Sequence, residues 1–294
     1  MGVGNAVITA GGLGTRLLPF SKEIPKEMLP LFSLSDGNIG LKPIVHIVFR
    51  NLFSVGVREF CFVIGRGKRV LEDYFTPDVG FVELLQSKGL SERVESLKMF
   101  YSMVFKSRIF FINQPTPRGF GDTVLHAEPF VGDKPFLLYA GDDVVLSRNC
   151  SHLKRLVKVC EEYDADAVIL IEEVEDPRAY GVVTGKAVDN YGNVLRLTEI
   201  VEKPEKSPSN LAVIAIYVFK PKIFNYIKIV EPDSRGETQL TPAVKLMMDD
   251  GSIFLPDFLD KAIGSKTYHL VEKIFHFLGK NPFSNVLLFL AIKN

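Results

Sequence analysis

The sequence predicts an α/β fold, with a mostly parallel central sheet and helices on both of its faces. Short apolar runs alternate with amphipathic stretches over the first two thirds of the 294-residue chain. These runs are apolar throughout rather than at every second position, as expected of strands that are buried on both faces. Hydrophobic residues make up 47% of the chain, which is enough to form a large core.

The predicted elements alternate between strand and helix in chain order. We expect strands at 6–10, 60–64, 108–112, 136–140 and 167–171, and helices at 43–55, 70–75, 122–128 and 153–163. From about residue 172, turn signals such as Asp176-Pro177 separate short β-like segments, which predicts antiparallel strands added to the same sheet. We therefore expect one domain over 1–250, in two parts (1–171 and 172–250), followed by a divergent segment, 251–294.

Composition excludes several classes of function. Lys plus Arg (35) balances Asp plus Glu (35), whereas proteins that bind nucleic acid usually carry a basic excess. The apolar run 286–292 is far shorter than the about 20 residues that span a bilayer, so we expect no membrane partner. The three cysteines fit no zinc-site spacing, and free thiols predict a reducing compartment, the cytoplasm.

A glycine-rich segment directly follows the first predicted strand. Gly11, Gly12 and Gly14 would let the backbone turn sharply and bring its N–H groups against phosphate oxygens, and Arg16 would add a planar cation. The segment is not a dinucleotide fingerprint, because Leu17 stands where the third glycine would be, and it lacks the Gly-Lys-Ser/Thr ending of a P-loop. Taken alone, it is also compatible with a plain turn between strand and helix.

The continuation of this segment is more specific. Gly11 to Arg16 is followed by Leu17 and Pro19, and then by Pro25-Lys26-Glu27-Met28-Leu29-Pro30. This pattern resembles the sugar-phosphate nucleotidyltransferase family, and within it the UTP–glucose-1-phosphate uridylyltransferases of bacteria and archaea. The resemblance covers about residues 5–250. Its other motifs are Gly65-Arg66-Gly67-Lys68-Arg69, Gly141-Asp142-Asp143, Tyr180-Gly181-Val182-Val183, Val201-Glu202-Lys203-Pro204, Ser209-Asn210-Leu211-Ala212 and Gly236-Glu237-Thr238-Gln239-Leu240-Thr241.

The resemblance implies a Rossmann-like fold of the nucleotide-diphospho-sugar transferase type, with a smaller antiparallel sub-domain on the sugar side. It implies transfer of a uridylyl group from UTP to glucose 1-phosphate with Mg²⁺, giving UDP-glucose and pyrophosphate, in a protein that forms homo-oligomers. By the same resemblance, residues 1–171 bind the nucleotide and residues 172–250 bind the sugar.

The resemblance also implies roles for individual residues. The expected catalytic residues are Arg16, Lys26, Asp142 and Lys203. The expected nucleotide-binding residues are Ala10, Gly11, Gly12, Gly14, Thr15, Glu27, Gln114, Gly119 and Asp142, with Gln114 reading the imide edge of uracil and Gly119 and Gly121 permitting close backbone approach to base and ribose. The expected sugar-binding residues are Gly181, Glu202, Lys203 and Asn210, and the expected metal ligand is Asp142.

Four residues at three places depart from the family pattern. The family has a second metal-binding aspartate where this chain has Ala262. Either Asp260 replaces it, which is not the favoured case, or water and phosphate oxygens fill the place, or activity is weak or lost. Ala215-Ile216 replaces Gly-Arg, and Pro242 stands where an acid is common. The alternatives are a catalytically weak or inactive regulatory homologue, favoured by Ala262, and a thymidylyltransferase with the same mechanism. A Rossmann dehydrogenase fits the glycine pattern poorly.

The cations of segment 65–69 have two interpretations. Arg66, Lys68 and Arg69 follow a predicted strand and a glycine turn, where they would bind phosphate, or they form the solvated start of a helix. The solvated helix start is supported at least as well as phosphate binding, and the balanced net charge argues against a nucleic acid backbone as the source of the phosphate.

Overall fold

The computed structural model describes residues 2–35, 38–188, 194–258 and 266–268. The strands are β1 (Asn5–Ala10), β2 (Pro30–Ser35), β3 (Asn38–Pro43), β4 (Glu59–Ile64), β5 (Arg108–Asn113), β6 (Phe136–Ala140), β7 (Val144–Leu146), β8 (Ala167–Glu173), β9 (Gly181–Ala187), β10 (Leu195–Glu202), β11 (Leu211–Phe219), β12 (Phe254–Phe258) and β13 (Lys266–Tyr268). The α-helices are α1 (Ile44–Ser54), α2 (Arg69–Tyr74), α3 (Val79–Ser87), α4 (Ser91–Phe105), α5 (Phe120–Leu125), α6 (Glu128–Val131), α7 (Ser151–Glu162), α8 (Ile223–Ile227) and α9 (Leu240–Asp249).

A large mixed sheet forms the centre of the molecule. β1 lies between β4 and β6, and β5 pairs with β4, with all of these strands parallel. β11 runs antiparallel to β6 on one edge and to β8 on the other, and β12 extends β8 in parallel. The β9–β10 hairpin joins the β6 edge of β11 through the pair Ala212 and Val182. The predicted α/β fold is confirmed, with a parallel half and an antiparallel half.

Successive residues of the central strands face opposite sides of this sheet. In β1, Ile8 belongs to the core cluster packed by α1, α2, α4 and α7, whereas its neighbour Val7 belongs to the cluster packed by α5, α8 and α9. β4 divides in the same way, with Phe62 on the first side and Cys61 on the second. Because both faces are covered by helices, the strands are apolar at every position.

Each strand and helix predicted over 1–171 has a counterpart, displaced by at most a few residues. The predicted helix 122–128 is two helices, α5 and α6, with Pro129 in the first turn of α6. The β2–β3 hairpin and helices α3 and α4 were not predicted. In the C-terminal segment, β12 joins the central sheet and β13 pairs with β7. No helix in the described parts of the chain is both long and apolar enough to cross a membrane.

Candidate active site

The candidate site lies at the carboxyl edge of the parallel strands. Gly11 follows β1, Gly65 follows β4, Gln114 follows β5 and Gly141 follows β6. Since these strands are parallel, the four residues meet at one edge of the sheet, where ligands bind in open α/β folds. A cavity of about 580 Å³ opens there, and its wall extends to the β9–β10 hairpin and to the start of α9.

The glycine loop forms one end of this cavity. Gly14 adopts the left-handed conformation with φ +64°, which glycine accepts without strain, and its carbonyl accepts a hydrogen bond of 2.6 Å from the Ser21 hydroxyl. Thr15 and Arg16 follow in a 3₁₀ turn and line the cavity with Gly11 and Gly12. The Ala10 side chain instead lies in the core, so only its backbone could serve a ligand.

We predict that Gly11→Ala destabilises the protein by about 2 kcal/mol, as overpacking of a tight site usually does. A Cβ at Gly11 would lie 2.2 Å from Gln114 Oε1 and 3.2 Å from Thr123 Oγ1, so the Gln114 amide would have to move. Gly12→Ala is the matched control, because its Cβ would meet nothing nearer than Lys26 Nζ at 3.7 Å. Urea unfolding measures both variants, and equal losses of stability would contradict the prediction.

Lys26 and Asp142 form an ion pair across the floor of the cavity. Lys26 Nζ donates to Asp142 Oδ2 at 2.6 Å, and each side chain is 23% exposed. Burial alone would lower the pKa of Lys26, but Asp142 and the neighbouring carboxylate of Glu27 raise it above its usual value. Lys26 is therefore a permanent cation in the cavity at neutral pH.

Glu27 and Lys68 form a second pair, beneath the first. Lys68 Nζ lies 3.0 Å from both carboxylate oxygens of Glu27, and both residues are buried. The solvated interpretation of the 65–69 cations is therefore wrong for Lys68, which faces inward, while Arg66 and Arg69 are exposed. Phosphate binding by these cations stays a prediction. The prediction that Glu27 binds nucleotide remains a prediction, although Glu27 contributes to the cavity wall.

Gln114 is held between the glycine loop and α5. Its amide nitrogen donates to Asp122 Oδ2 at 2.6 Å, and its amide oxygen accepts from Thr123 Oγ1 at 3.0 Å. Its backbone N–H donates to the Ile64 carbonyl, which continues the β4–β5 pairing by one residue. The Gln114 side chain is therefore fixed in the cavity wall. Asp122 and Thr123 were not singled out from the sequence.

Gly119 and Gly121 are packed against the loop that carries Glu237 and Gln239. A Cβ at Gly119 would lie 2.6 Å from the Thr238 carbonyl oxygen, and one at Gly121 would lie 2.9 Å from the same atom. Backbone hydrogen bonds join the two segments, from Gly121 N–H to Thr238 O and from Thr238 N–H to Arg118 O. These glycines therefore permit close approach of the chain to itself, in addition to any role toward a base.

The opposite end of the cavity carries the Glu202-Lys203 motif. Glu202 Oε1 lies 2.8 Å from Lys203 Nζ, and Glu202 Oε2 accepts from the Thr241 hydroxyl at 2.6 Å. Lys203 has φ +43°, which is uncommon outside glycine and typical of functional sites. A Cβ at Gly181 would lie 3.4 Å from Glu202 Oε2, an ordinary van der Waals distance, so this glycine lies directly beside the carboxylate.

The structure thus gathers most of the predicted site residues around one cavity. The lining includes Gly11, Gly12, Gly14, Thr15, Arg16, Lys26, Glu27, Gln114, Gly119, Asp142, Gly181, Glu202 and Lys203. Asn210 is exposed and lies outside this lining, with its carbonyl accepting from Val174 N–H. Tyr217 and Thr241 also line the cavity and were missed, although Thr241 belongs to a motif that was noted.

The only predicted metal ligand among the described residues is Asp142. No group of three or more His, Cys, Asp or Glu side chains able to hold a metal occurs in the described ranges. Asp143 lies beside Asp142 in the cavity wall, whereas Asp260 and Ala262 lie outside the described residues. Mg²⁺ binds to one or two carboxylates together with substrate phosphates, so Asp142 fits such a shared site better than a closed protein cage.

Comparison with known proteins relates the chain to one family. A UTP–glucose-1-phosphate uridylyltransferase of Staphylococcus saprophyticus is 34% identical over 86% of this chain and 84% of its own length. A protein of Methanocaldococcus jannaschii, named as a putative enzyme of the same activity, is 37% identical over 92% of this chain and 89% of its own length.

Solved structures lead to the same family. A UDP-glucose pyrophosphorylase complexed with UDP-glucose has a TM-score of 0.79 at 28% identity, covering 96% of this chain and 98% of its own. The UTP-bound enzyme of Acinetobacter baumannii has a TM-score of 0.77 at 26% identity, covering 96% and 95%. The nucleotidyl transferase family pattern matches residues 5–261. This chain therefore belongs to the nucleotidyl transferase family, and its fold is that of the UDP-glucose pyrophosphorylases.

Proposed function

We propose that this chain transfers a uridylyl group from UTP to glucose 1-phosphate, giving UDP-glucose and pyrophosphate. The observation that carries the proposal is one cavity that joins the glycine loop, the Lys26–Asp142 pair and the Glu202–Lys203 pair. Its volume of about 580 Å³ lies in the usual range for ligand sites. The names of the relatives support uridine as the nucleoside and glucose 1-phosphate as the acceptor.

In the proposed reaction, an oxygen of the sugar phosphate attacks the α-phosphorus of UTP in line. The new P–O bond forms as the bond to the pyrophosphate group breaks, and no group is oxidised or reduced. Such a reaction needs positioning and charge stabilisation rather than covalent catalysis by the protein. We assign the triphosphate to the glycine loop and Arg16, and the sugar phosphate to Lys203. Lys26, a permanent cation between them, stabilises charge on the α-phosphate of the transferred uridylyl group.

The metal of this proposal is Mg²⁺, held by Asp142. A carboxylate is a hard oxygen ligand of the kind that Mg²⁺ prefers. When bound, Mg²⁺ would neutralise charge on the phosphate oxygens. The same proposal includes homo-oligomeric assembly and a cytoplasmic location. It also includes nucleotide binding by residues 1–171 and sugar binding by residues 172–250.

Pyrophosphate release tests the proposal directly. The purified chain is incubated with glucose 1-phosphate and one of UTP, dTTP, CTP or GTP, with and without Mg²⁺. We expect turnover with UTP that requires the metal. Faster turnover with dTTP would indicate a thymidylyltransferase. No turnover with any nucleotide, together with calorimetric binding of UDP-glucose, would replace the enzyme with the regulatory homologue that Ala262 favours.

A further inference from the structure

The amide of Gln114 is held on both of its polar atoms. Its nitrogen donates to Asp122 Oδ2 at 2.6 Å and its oxygen accepts from Thr123 Oγ1 at 3.0 Å. The residue is 3% exposed and packs against Gly11, yet it contributes to the cavity wall. An amide has two N–H donors and two oxygen lone pairs, so these two bonds leave one of each for a ligand.

Asp122 decides which way round this amide lies. A carboxylate only accepts hydrogen bonds, so the amide nitrogen must face it. The Thr123 hydroxyl does not fix the orientation of the Gln114 amide, because a hydroxyl can both donate and accept a hydrogen bond. It also lies 2.9 Å from the Gly119 carbonyl oxygen, to which it could donate while accepting from an amide nitrogen. If Asp122 were uncharged and able to donate, both orientations of Gln114 would be satisfied.

Orientation matters because pyrimidines present opposite patterns to an amide. Uracil offers a carbonyl acceptor at position 4 and an N–H donor at position 3, whereas cytosine offers an amino donor and a ring-nitrogen acceptor at the same places. An amide that turns over by 180° pairs with either base. An amide that is held in one orientation pairs with only one of these bases. Against the other base, its N–H faces a donor and its oxygen faces an acceptor, so neither hydrogen bond forms.

We propose that Asp122 is a positioning residue that fixes the Gln114 amide and thereby makes the site select uracil-type bases over cytosine. This inference rests on the proposed function and on the expectation from the sequence resemblance that Gln114, which lines the cavity, faces the base. Turning the amide over would set its oxygen against Asp122 Oδ2, two acceptors with no proton between them. A misplaced buried hydrogen bond of this kind costs about a tenfold or larger factor in affinity.

The test compares UTP with CTP in Asp122→Asn. The asparagine side chain has nearly the same shape but both accepts and donates, so it satisfies either orientation of Gln114. We expect the ratio of kcat/KM for UTP to that for CTP to fall by about tenfold or more. Damage to the fold or to catalysis lowers both values together and leaves the ratio unchanged, so the ratio reports orientation specifically.

Two controls accompany this variant. Glu128→Gln makes the same chemical change in an exposed carboxylate that pairs with Lys228 at 2.6 Å, and we expect it to leave the ratio unchanged. Thr123→Val removes the hydroxyl but keeps Asp122, so we expect the preference for UTP to persist even if turnover falls. Asp122→Ala also removes the carboxylate, and the ratio of kcat/KM for UTP to that for CTP must fall in this variant as well.

Calorimetric binding of UTP and CTP without sugar separates this inference from the proposed function. A wild-type protein that binds both nucleotides equally overturns the role of Asp122, and so does a folded Asp122→Asn variant with the wild-type ratio. If the wild type prefers UTP in binding and Asp122→Asn loses that preference, the inference stands even where pyrophosphate release fails and the proposed enzyme activity is rejected.

Discussion

Asp142→Asn is expected to lower the rate of pyrophosphate release by about a thousandfold or more, on the scale of losing a main electrostatic element of a transition state. The carboxylate lies 2.6 Å from Lys26 Nζ and is the expected Mg²⁺ ligand. Asparagine retains the size of the side chain but not its charge, so both the anchor of Lys26 and the metal affinity are reduced. Turnover at saturating UTP and glucose 1-phosphate, across a Mg²⁺ titration, measures the effect.

Asp78→Asn is the matched control for this variant. Asp78 caps α3 by accepting from Phe81 N–H at 2.8 Å, and asparagine caps helices about equally well, so stability and turnover should be unchanged. Since Asp142 is partly exposed and lies at a strand end, its variant should also unfold at the wild-type temperature. Activity within tenfold of the wild type in a folded Asp142→Asn protein would remove Asp142 from the proposed mechanism.

The arrangement of the parallel strands could be predicted because their sequence pattern is local. β1, β4 and β6 are apolar at nearly every position since helices cover both faces, and this pattern is visible without knowledge of the fold. β11 is as apolar as these strands but runs antiparallel between β6 and β8. Its own residues do not indicate whether it pairs in parallel or antiparallel. Strand direction depends on partners that are distant in sequence.

The polar contacts behind the site could not be predicted in the same way. Lys68 lies 41 residues after Glu27 in the sequence. It is buried because the turn 65–69, which follows β4, lies beneath the glycine loop. Asp122 and Gln114 are 8 residues apart, but their contact depends on how α5 is seated against β5. A motif indicates that a residue type belongs to a site. Its contacts follow only from the packed structure.

The glycines illustrate the same difference. Glycine after the first strand predicted close approach of a ligand, and the structure shows that Gly11 also accommodates the Gln114 side chain. Gly119 was expected to face a base, yet the direction of its missing Cβ is occupied by Thr238. The sequence can indicate that a position requires glycine, but it does not say which neighbour imposes the requirement.

The second large effect concerns stability and is expected for Lys68→Met. This substitution leaves the Glu27 carboxylate buried without its partner at 3.0 Å, and losing one member of a buried pair costs about 3 kcal/mol or more. Burial already raises the pKa of Glu27 in spite of the nearby lysines, and it lowers the pKa of Lys68 in spite of Glu27. Desolvation is the largest cause of both shifts, and we interpret the pair as one in which the cost of burial outweighs the mutual attraction. Urea unfolding of the single variant measures the loss.

The double variant Glu27→Met/Lys68→Met tests that interpretation. If desolvation outweighs attraction, two apolar side chains of similar volume should restore stability to within about 1 kcal/mol of the wild type. A double variant that regains no stability over Lys68→Met would instead show that the intact pair stabilises the fold more than two apolar side chains do. Glu27 adjoins Lys26, so we expect the restored protein to release pyrophosphate more slowly than the wild type. A stable but slow double variant would mean that the ion pair serves to position the Lys26 segment, at no net benefit to stability.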